Sequence, residues 1–413
     1  MVYELRHQPF RGLYLTVQTV YTLFVRLPTW LIVYLPKSNR PRPTWPYLST
    51  ILLEVVKWTS FLGPLAARAG PLIAEPDHRA IKRGRGIKGV WIPPCPDLVV
   101  GEVKQWAEQA NVEAIQIPGY WYNKKGTDIA ADEPASPGEK VIYHIHGGGF
   151  IGGTAVQHPP DIYNTFGSRL AQTHPSVKRV FLVEYRMTTG PPLQHANPFP
   201  AALIDALAGY TYLINTLHFA PEDIILSGDS AGGNLALALT RYIIETSADP
   251  SLAHVPIPKL PRALVLLSPW CDLGESHEGA TKSLTTHTAT DYIQPCKNPL
   301  FLYARKNYCG CLGFPVAANT NRYISPASVH PHIDAVSFKG FPKTFLTYGG
   351  AETLYDQCVS LEKKMQEDLG KDGLTVYVVD DAVHDIMLAW FWDPLYSDSF
   401  NRLGQYLDSV FSL

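Results

Sequence analysis

Residues 223–244 read DIILSGDSAGGNLALALTRYII, and this stretch decides the fold. Ile224, Ile225 and Leu226 make a short β-branched run, Gly228-Asp229-Ser230-Ala231-Gly232-Gly233 breaks it, and an apolar run of helix formers begins at Leu235. A strand, a sharp glycine-flanked turn and a helix are the setting in which a serine hydroxyl is presented at the carboxyl edge of a sheet. Side chains two residues to either side of that serine would collide with the backbone, so Gly228 and Gly232 are required sterically. The first amides of the new helix point to where negative charge would develop on a reacting carbonyl.

Outward from this turn, short apolar runs alternate with longer helical ones. VIYHI from 141, VFLV from 180, ALVLL from 263, TFLTY from 344 and LTVYVV from 374 read as strands bounded by glycine, proline or polar residues. Residues 200–217 open with a proline at a tolerated first-turn position and read as helix, as does the 400–411 segment with apolar positions 400, 403, 407, 410 and 411. The alternation predicts an α/β chain with a mostly parallel, doubly wound sheet.

Composition narrows the function. The 413 residues are 46% hydrophobic and 17% charged, enough apolar material for one large core or two modest ones. Lys plus Arg number 35 against 37 Asp plus Glu, so there is no polycation and nucleic acid is excluded as an expected partner. The 9 Trp, 22 Tyr and 16 Phe suffice to line apolar pockets, which suits small lipophilic ligands. Six scattered cysteines without a C-x-x-C pair read as ordinary thiols; Cys309 and Cys311 are the one tight pair, a disulfide candidate in an oxidising lumen. No Asn-x-Ser/Thr sequon occurs, which argues against lumenal exposure.

His146-Gly147-Gly148-Gly149-Phe150 follows the strand VIYHI, and its three glycines let main-chain N–H groups approach a carbonyl unobstructed. A serine alkoxide needs a base and an orienting acid, and both are found further on in the order this architecture requires. Glu352 and Asp356 follow TFLTY, and His384 follows LTVYVV and Asp380-Asp381, which belong to the strand end. Glu352 is the first choice of acid and Asp356 its rival. His144 and His146 share a strand face, but no third ligand is placed near them, so no metal is expected.

Together these motifs resemble the hormone-sensitive-lipase family of α/β-hydrolases over roughly residues 140–413. His146 to Phe150 matches the family's HGGG motif and Gly228 to Gly233 its GDSAGG elbow, supported by Phe199-Pro200-Ala201-Ala202 with Asp205, Leu267-Ser268-Pro269-Trp270 and Ile324-Ser325-Pro326. The resemblance implies the α/β-hydrolase fold, Ser230 as nucleophile, Glu352 as acid, His384 as base, and Gly148, Gly149 and Ala231 as oxyanion donors. The family's acid is usually Asp, so Glu352 adds a methylene that its loop must absorb. GVWIPPCPDLVVGEVKQWAEQ from 89 and IPGYWYN from 117 resemble a fungal subgroup that includes steryl-acetate hydrolase-like proteins. The expected function is a serine carboxylesterase that hydrolyses lipophilic esters, acetyl esters among them, through an acyl-enzyme and without a cofactor. The alternatives are a tailoring acyltransferase, lactonase or cyclase using the same triad, and a non-catalytic small-molecule receptor.

The implied organisation is 1–47 as an anchor or cap segment with a Pro-rich linker, 48–139 as cap helices and first strands, and 140–413 as the catalytic domain with a cap insertion at about 272–325. Residues 13–35, LYLTVQTVYTLFVRLPTWLIVYL, are long enough to span a bilayer if helical, despite Arg26 and Pro28. Lys37, Arg40 and Arg42 outweigh Arg6 and Arg11, which Glu4 offsets, placing the following domain on the cytoplasmic side of such a span. The expectation is membrane association at the endoplasmic reticulum through residues 13–35, with a soluble cytoplasmic protein as the alternative.

Overall fold

The computed structural model describes residues 9–66, 78–82, 87–156, 162–191, 193–294 and 299–412. Glu4 and Arg6, named above, and the cysteine Cys296 lie outside them. The described strands are β1 (Lys88–Ile92), β2 (Ile117–Asn123), β3 (Lys140–Ile145), β4 (Val177–Val183), β5 (Ile224–Asp229), β6 (Ala263–Leu267), β7 (Lys343–Gly349) and β8 (Leu374–Val379). They form a single eight-stranded sheet in the order β1-β2-β4-β3-β5-β6-β7-β8. The first two pairings, β1 with β2 and β2 with β4, are antiparallel, and the rest are parallel. The α/β-hydrolase fold expected from the sequence is the fold observed.

Two helical layers cover the sheet because its strands are apolar on both faces. Successive side chains point to opposite sides, and the core divides accordingly. Tyr143, Ile145, Leu226, Leu264 and Leu266 pack with the helices α6 (Ala201–Asn215), α7 (Ser230–Ala248) and α11 (Tyr355–Gly373). Ile142, Ile225, Val265 and Phe345 pack on the other side with α5 (Ile162–Leu170) and α12 (Leu395–Phe411). Each fully buried aliphatic side chain contributes about 1.5–3 kcal/mol. A short helix α4 (Gly101–Ala110) precedes β2, and the 272–325 segment carries α8 (Ser283–Thr286), α9 (Pro299–Cys309) and α10 (Val316–Thr320). Cys309 is buried, Cys311 is exposed, and both are free thiols.

The amino-terminal expectation needs correction. Among the described residues no helix is long and apolar enough to cross a membrane, so the expected span, and the membrane localisation that rested on it, do not stand. The segment forms α1 (Phe10–Tyr21), a π turn over Thr22–Arg26, and the seven-residue α2 (Leu27–Val33). Arg26 is the reason it reads differently in three dimensions. Its guanidinium donates to Gln18 Oε1 at 2.9 Å and Thr22 Oγ1 at 3.0 Å and lies over the Tyr21 and Trp58 rings, which builds a polar stripe against α3 (Tyr47–Ala66).

Two of the basic residues read as a topology signal, Arg40 and Arg42, have internal partners. Arg40 donates to the carbonyls of Tyr34 and Trp45 at 3.0 and 2.7 Å, tying off the end of α2. Arg42 donates to the carbonyls of Gly350 at 2.6 Å and Asp380 at 2.7 Å, and the Trp45 indole donates to the Asp381 carbonyl at 2.8 Å. Trp45 is buried edge-on against Trp392, 4.9 Å between ring centroids. The Pro-rich stretch is therefore a strap, not a free linker, and it grips the loops after β7 and β8.

Candidate active site

The residues singled out in the sequence follow the carboxyl ends of β3, β5, β7 and β8 of the one sheet. Ser230 opens α7 directly after β5 with φ 49°, a left-handed conformation that a serine adopts at a cost of about 1–3 kcal/mol. A side chain at Gly232 would run into the carbonyls of Ile145 and His146, so glycine is obligatory where the elbow packs on β3. In the register of β3 against β5, Ile145 faces Gly228, which sets the glycine loop beside the elbow. Gly147 N donates to Asp229 Oδ1 at 2.9 Å and pins the two turns together. Beyond that pin, Gly148 and Gly149 have φ of 103° and 63°, conformations open to glycine.

His144 does not face solvent or a metal. It is fully buried, with Nδ1 3.0 Å from Ser227 Oγ and Nε2 2.9 Å from Asp229 Oδ1. His146 has its Nδ1 2.8 Å from the Gly147 carbonyl, and burial pushes its pKa down to about 4, so it is neutral. Among the described residues no group of three or more His, Cys, Asp or Glu is arranged to hold a metal ion.

Two side chains meet from the loops after β7 and β8. Glu352 is fully buried, accepts from Ser268 Oγ at 2.7 Å and from Gly349 N at 3.2 Å, and its Oε2 lies 3.6 Å from His384 Nδ1. Such pairs are often long without substrate and tighten in the reacting complex. Asp356 sits at the start of α11 and is turned elsewhere, its Oδ2 accepting from Ser283 N at 2.8 Å. The other nitrogen of the imidazole, Nε2, lies 3.1 Å from Asp385 Oδ2. Burial alone would lower the pKa of His384, but the carboxylates of Asp385 and Glu352 outweigh it and hold it well above the ordinary histidine value.

Sequence reasoning missed three residues here. Ser268, with φ 40°, receives the Asp385 amide on the same hydroxyl that donates to Glu352, linking the loops after β7 and β8. It stood in a quoted motif without a role. Asp291, from the 272–325 segment, is fully buried and clips both loops: its Oδ2 accepts from Thr353 N and Oγ1 at 2.7 and 2.9 Å, its Oδ1 from His384 N at 3.2 Å. Nothing local marks it. Asp385 follows His384 directly, and that adjacency was the available signal.

Serine, histidine and aspartate also line up as Ser360–His277–Asp272, with Nε2 to Oγ at 2.8 Å and Nδ1 to Oδ2 at 2.6 Å. Ser360 lies inside α11, and Ser227 of the His144–Asp229 group inside β5. Neither has a strained glycine-flanked turn or a neighbouring glycine loop, which distinguishes Ser230.

The alpha/beta hydrolase fold family matches residues 142–388, which contain the elbow, the glycine loop and both later loops. The chain belongs to the α/β-hydrolase family. This hydrolase is 26% identical over 275 residues to the esterase LipU of Mycobacterium tuberculosis, covering 66% of this chain and 79% of LipU. It is 28% identical over 230 residues to an acetyl-hydrolase of Streptomyces hygroscopicus, covering 56% of this chain and 63% of that one. Its fold is also that of a crystal structure of an esterase from the bacterial hormone-sensitive lipase family, with TM-score 0.54, 20% identity, and coverage of 93% of this chain and 98% of that one. The hydrolase is of the esterase and lipase type.

Proposed function

We infer that this hydrolase is a serine carboxylesterase in which Ser230 is the nucleophile, His384 the general base, Glu352 the acid that orients it, and the amides of Gly148, Gly149 and Ala231 the oxyanion donors. The observation that carries the reading is the strained φ of Ser230, on an elbow pinned to the glycine loop through Asp229, with Glu352 and His384 on the loops after two strands of the same sheet. The Ser230 hydroxyl adds to the ester carbonyl and its proton passes to His384 Nε2. The tetrahedral oxyanion is held by main-chain N–H groups. The C–O bond to the alcohol then breaks, with His384 returning the proton to the leaving oxygen, and water repeats the sequence on the acyl-enzyme.

Glu352 is preferred to Asp356 because its carboxylate neighbours the imidazole while that of Asp356 is engaged with Ser283. The substrates are lipophilic esters. Acetyl esters, sterol acetates among them, are the first to try, a choice supported by similarity to a protein named acetyl-hydrolase and by the amino-terminal resemblance to steryl-acetate hydrolase-like proteins. The amino-terminal helices and the 272–325 insertion act as the cap that shapes the acyl pocket.

The test is a screen of nitrophenyl esters of graded acyl length and of acetylated sterols, with Ser230→Ala as blank. Hydrolysis fastest with acetyl and lost in the blank is the expected result. Product formed only when an acceptor alcohol is added would replace the hydrolase reading by acyl transfer, and tight binding of a ligand without turnover would make it a receptor.

A further inference from the structure

The imidazole of His384 lies between two carboxylates, one toward each ring nitrogen. Only one has a role above. Asp385 is buried, and its Oδ2 stands 3.1 Å from Nε2, the nitrogen that has to receive the proton of Ser230. This is a built contact. The residue adopts φ 50°, its amide donates to Ser268 Oγ at 3.1 Å, and the same hydroxyl donates to Glu352 at 2.7 Å. A single serine thereby holds the Glu352 carboxylate and the backbone of Asp385.

We propose that Asp385 is a positioning residue for the base: it holds the Nε2 edge of His384 and keeps the ring as an imidazolium in the resting enzyme, so that the ring must lose that proton to solvent and leave Asp385 before it serves Ser230. The proposal rests on the esterase reading for its consequence in catalysis, but not for the contact itself.

The surroundings fit this role. The other groups facing the pair are Glu352 beside Nδ1, Asp291 accepting from the His384 amide, the Tyr292 ring 5.9 Å from the imidazole, and Asp229, whose charge acts on Asp385. Against the lowering effect of burial, the Asp385 and Glu352 carboxylates favour the charged ring. Burial raises the Asp385 carboxyl to about 7 against the lowering effect of His384, so the two groups together hold one proton firmly and take up a second as the pH falls through neutrality. Asp385 Oδ1 is buried without a partner, and Asp385 lines a small cavity with Thr347, whose hydroxyl is also unpartnered.

A base acts when neutral, so a ring kept charged gives an activity that rises with pH through the raised pKa of His384. Removing the Asp385 charge moves that limb to lower pH, and a limb that lies one pH lower means kcat/KM about tenfold higher on the acidic side. Asp385→Asn and Asp385→Gly both suit a positive φ and leave Ser230, Glu352 and His384 in place.

Two readouts on the full chain test this. The first is an NMR titration of the His384 ring, assigned by the signal lost in His384→Gln; the second is the pH profile of kcat/KM with p-nitrophenyl acetate. The expected result is a wild-type ring that titrates well above an ordinary histidine, and a ring titration and acidic limb that both move to lower pH in the Asn variant. If that variant melts early, the Gly variant decides. A wild-type ring titrating at the ordinary histidine value, or variants whose ring titration is unchanged, overturns the proposal whatever the activity does. A shifted ring titration in a protein that hydrolyses no ester leaves the proposal standing and removes the esterase reading instead.

Discussion

Replacing Glu352 by Gln should cost this enzyme most of its turnover while leaving it folded. The carboxylate is fully buried and serves four neighbours: the Ser268 hydroxyl at 2.7 Å, the Gly349 amide at 3.2 Å, the Cys358 thiol at 3.5 Å and His384 Nδ1 at 3.6 Å. A glutamine keeps one carbonyl oxygen for the serine and the amide, so the fold loses about 1–3 kcal/mol from weakened charged hydrogen bonds. The imidazole loses more. An amide beside Nδ1 favours the wrong tautomer and cannot balance the charge that develops on the ring, an exchange that costs about 10⁴ in turnover in a serine triad. The 3.6 Å separation softens that, so a fall of about 10³–10⁴ in kcat is expected, about 4–5.5 kcal/mol of transition-state stabilisation. Asp356→Asn is the control. Its amide oxygen still accepts from Ser283 N, so turnover should change by less than about threefold and stability by less than about 1 kcal/mol. Turnover of p-nitrophenyl acetate, the rate of fluorophosphonate labelling and a thermal melt measure the three quantities. A folded Asp356→Asn protein with crippled turnover, beside a Glu352→Gln protein that keeps most of its own, would refute the assignment of the acid.

Other expectations follow from neighbouring features. Ser230→Ala should abolish rapid covalent labelling by a fluorophosphonate; labelling that persists on the same peptide region would remove the elbow from the mechanism. Arg42→Ala frees the loops after β7 and β8 from the strap, so kcat should fall by about tenfold with KM little changed, with partial recovery in Arg42→Lys; an unchanged kcat would make the strap irrelevant to the site. Trp45→Ala empties a buried position against Trp392 and should cost about 3–5 kcal/mol, read as a lower denaturant midpoint; a cost under about 1 kcal/mol would mean that the amino-terminal segment is not docked as described.

What the sequence determined by itself was local. The turn at Ser230 is legible because its cause lies in the residues beside it: a β-branched strand, two glycines demanded by backbone contact, and an apolar helix. The parallel sheet is legible for a similar reason, since each strand's apolar run and each helix's periodicity are properties of contiguous residues, and their alternation leaves few ways to connect them. Even the placing of the glycine loop, Ser230, Glu352 and His384 just beyond successive strands could be read along the chain.

Tertiary structure alone decided what depends on partners far away in sequence. Residues 13–35 look like a membrane span because hydropathy weighs each side chain against lipid. It is blind to the π turn that sets Arg26 on Gln18 and Thr22, and to α3 packing alongside. Arg42 looked like a topology signal, yet its guanidinium reaches carbonyls more than 300 positions along the chain, a contact that only the closed fold creates. The same holds at the base. That His384 would follow a strand was readable, but which carboxylate faces which nitrogen depends on the left-handed turn at Asp385, on Ser268 tying two loops, and on Asp291 arriving from the insertion. Hydrogen bonds and charge pairs act over a few ångströms, and separation along the sequence carries no information about such distances until the sheet has brought its carboxyl ends into one row.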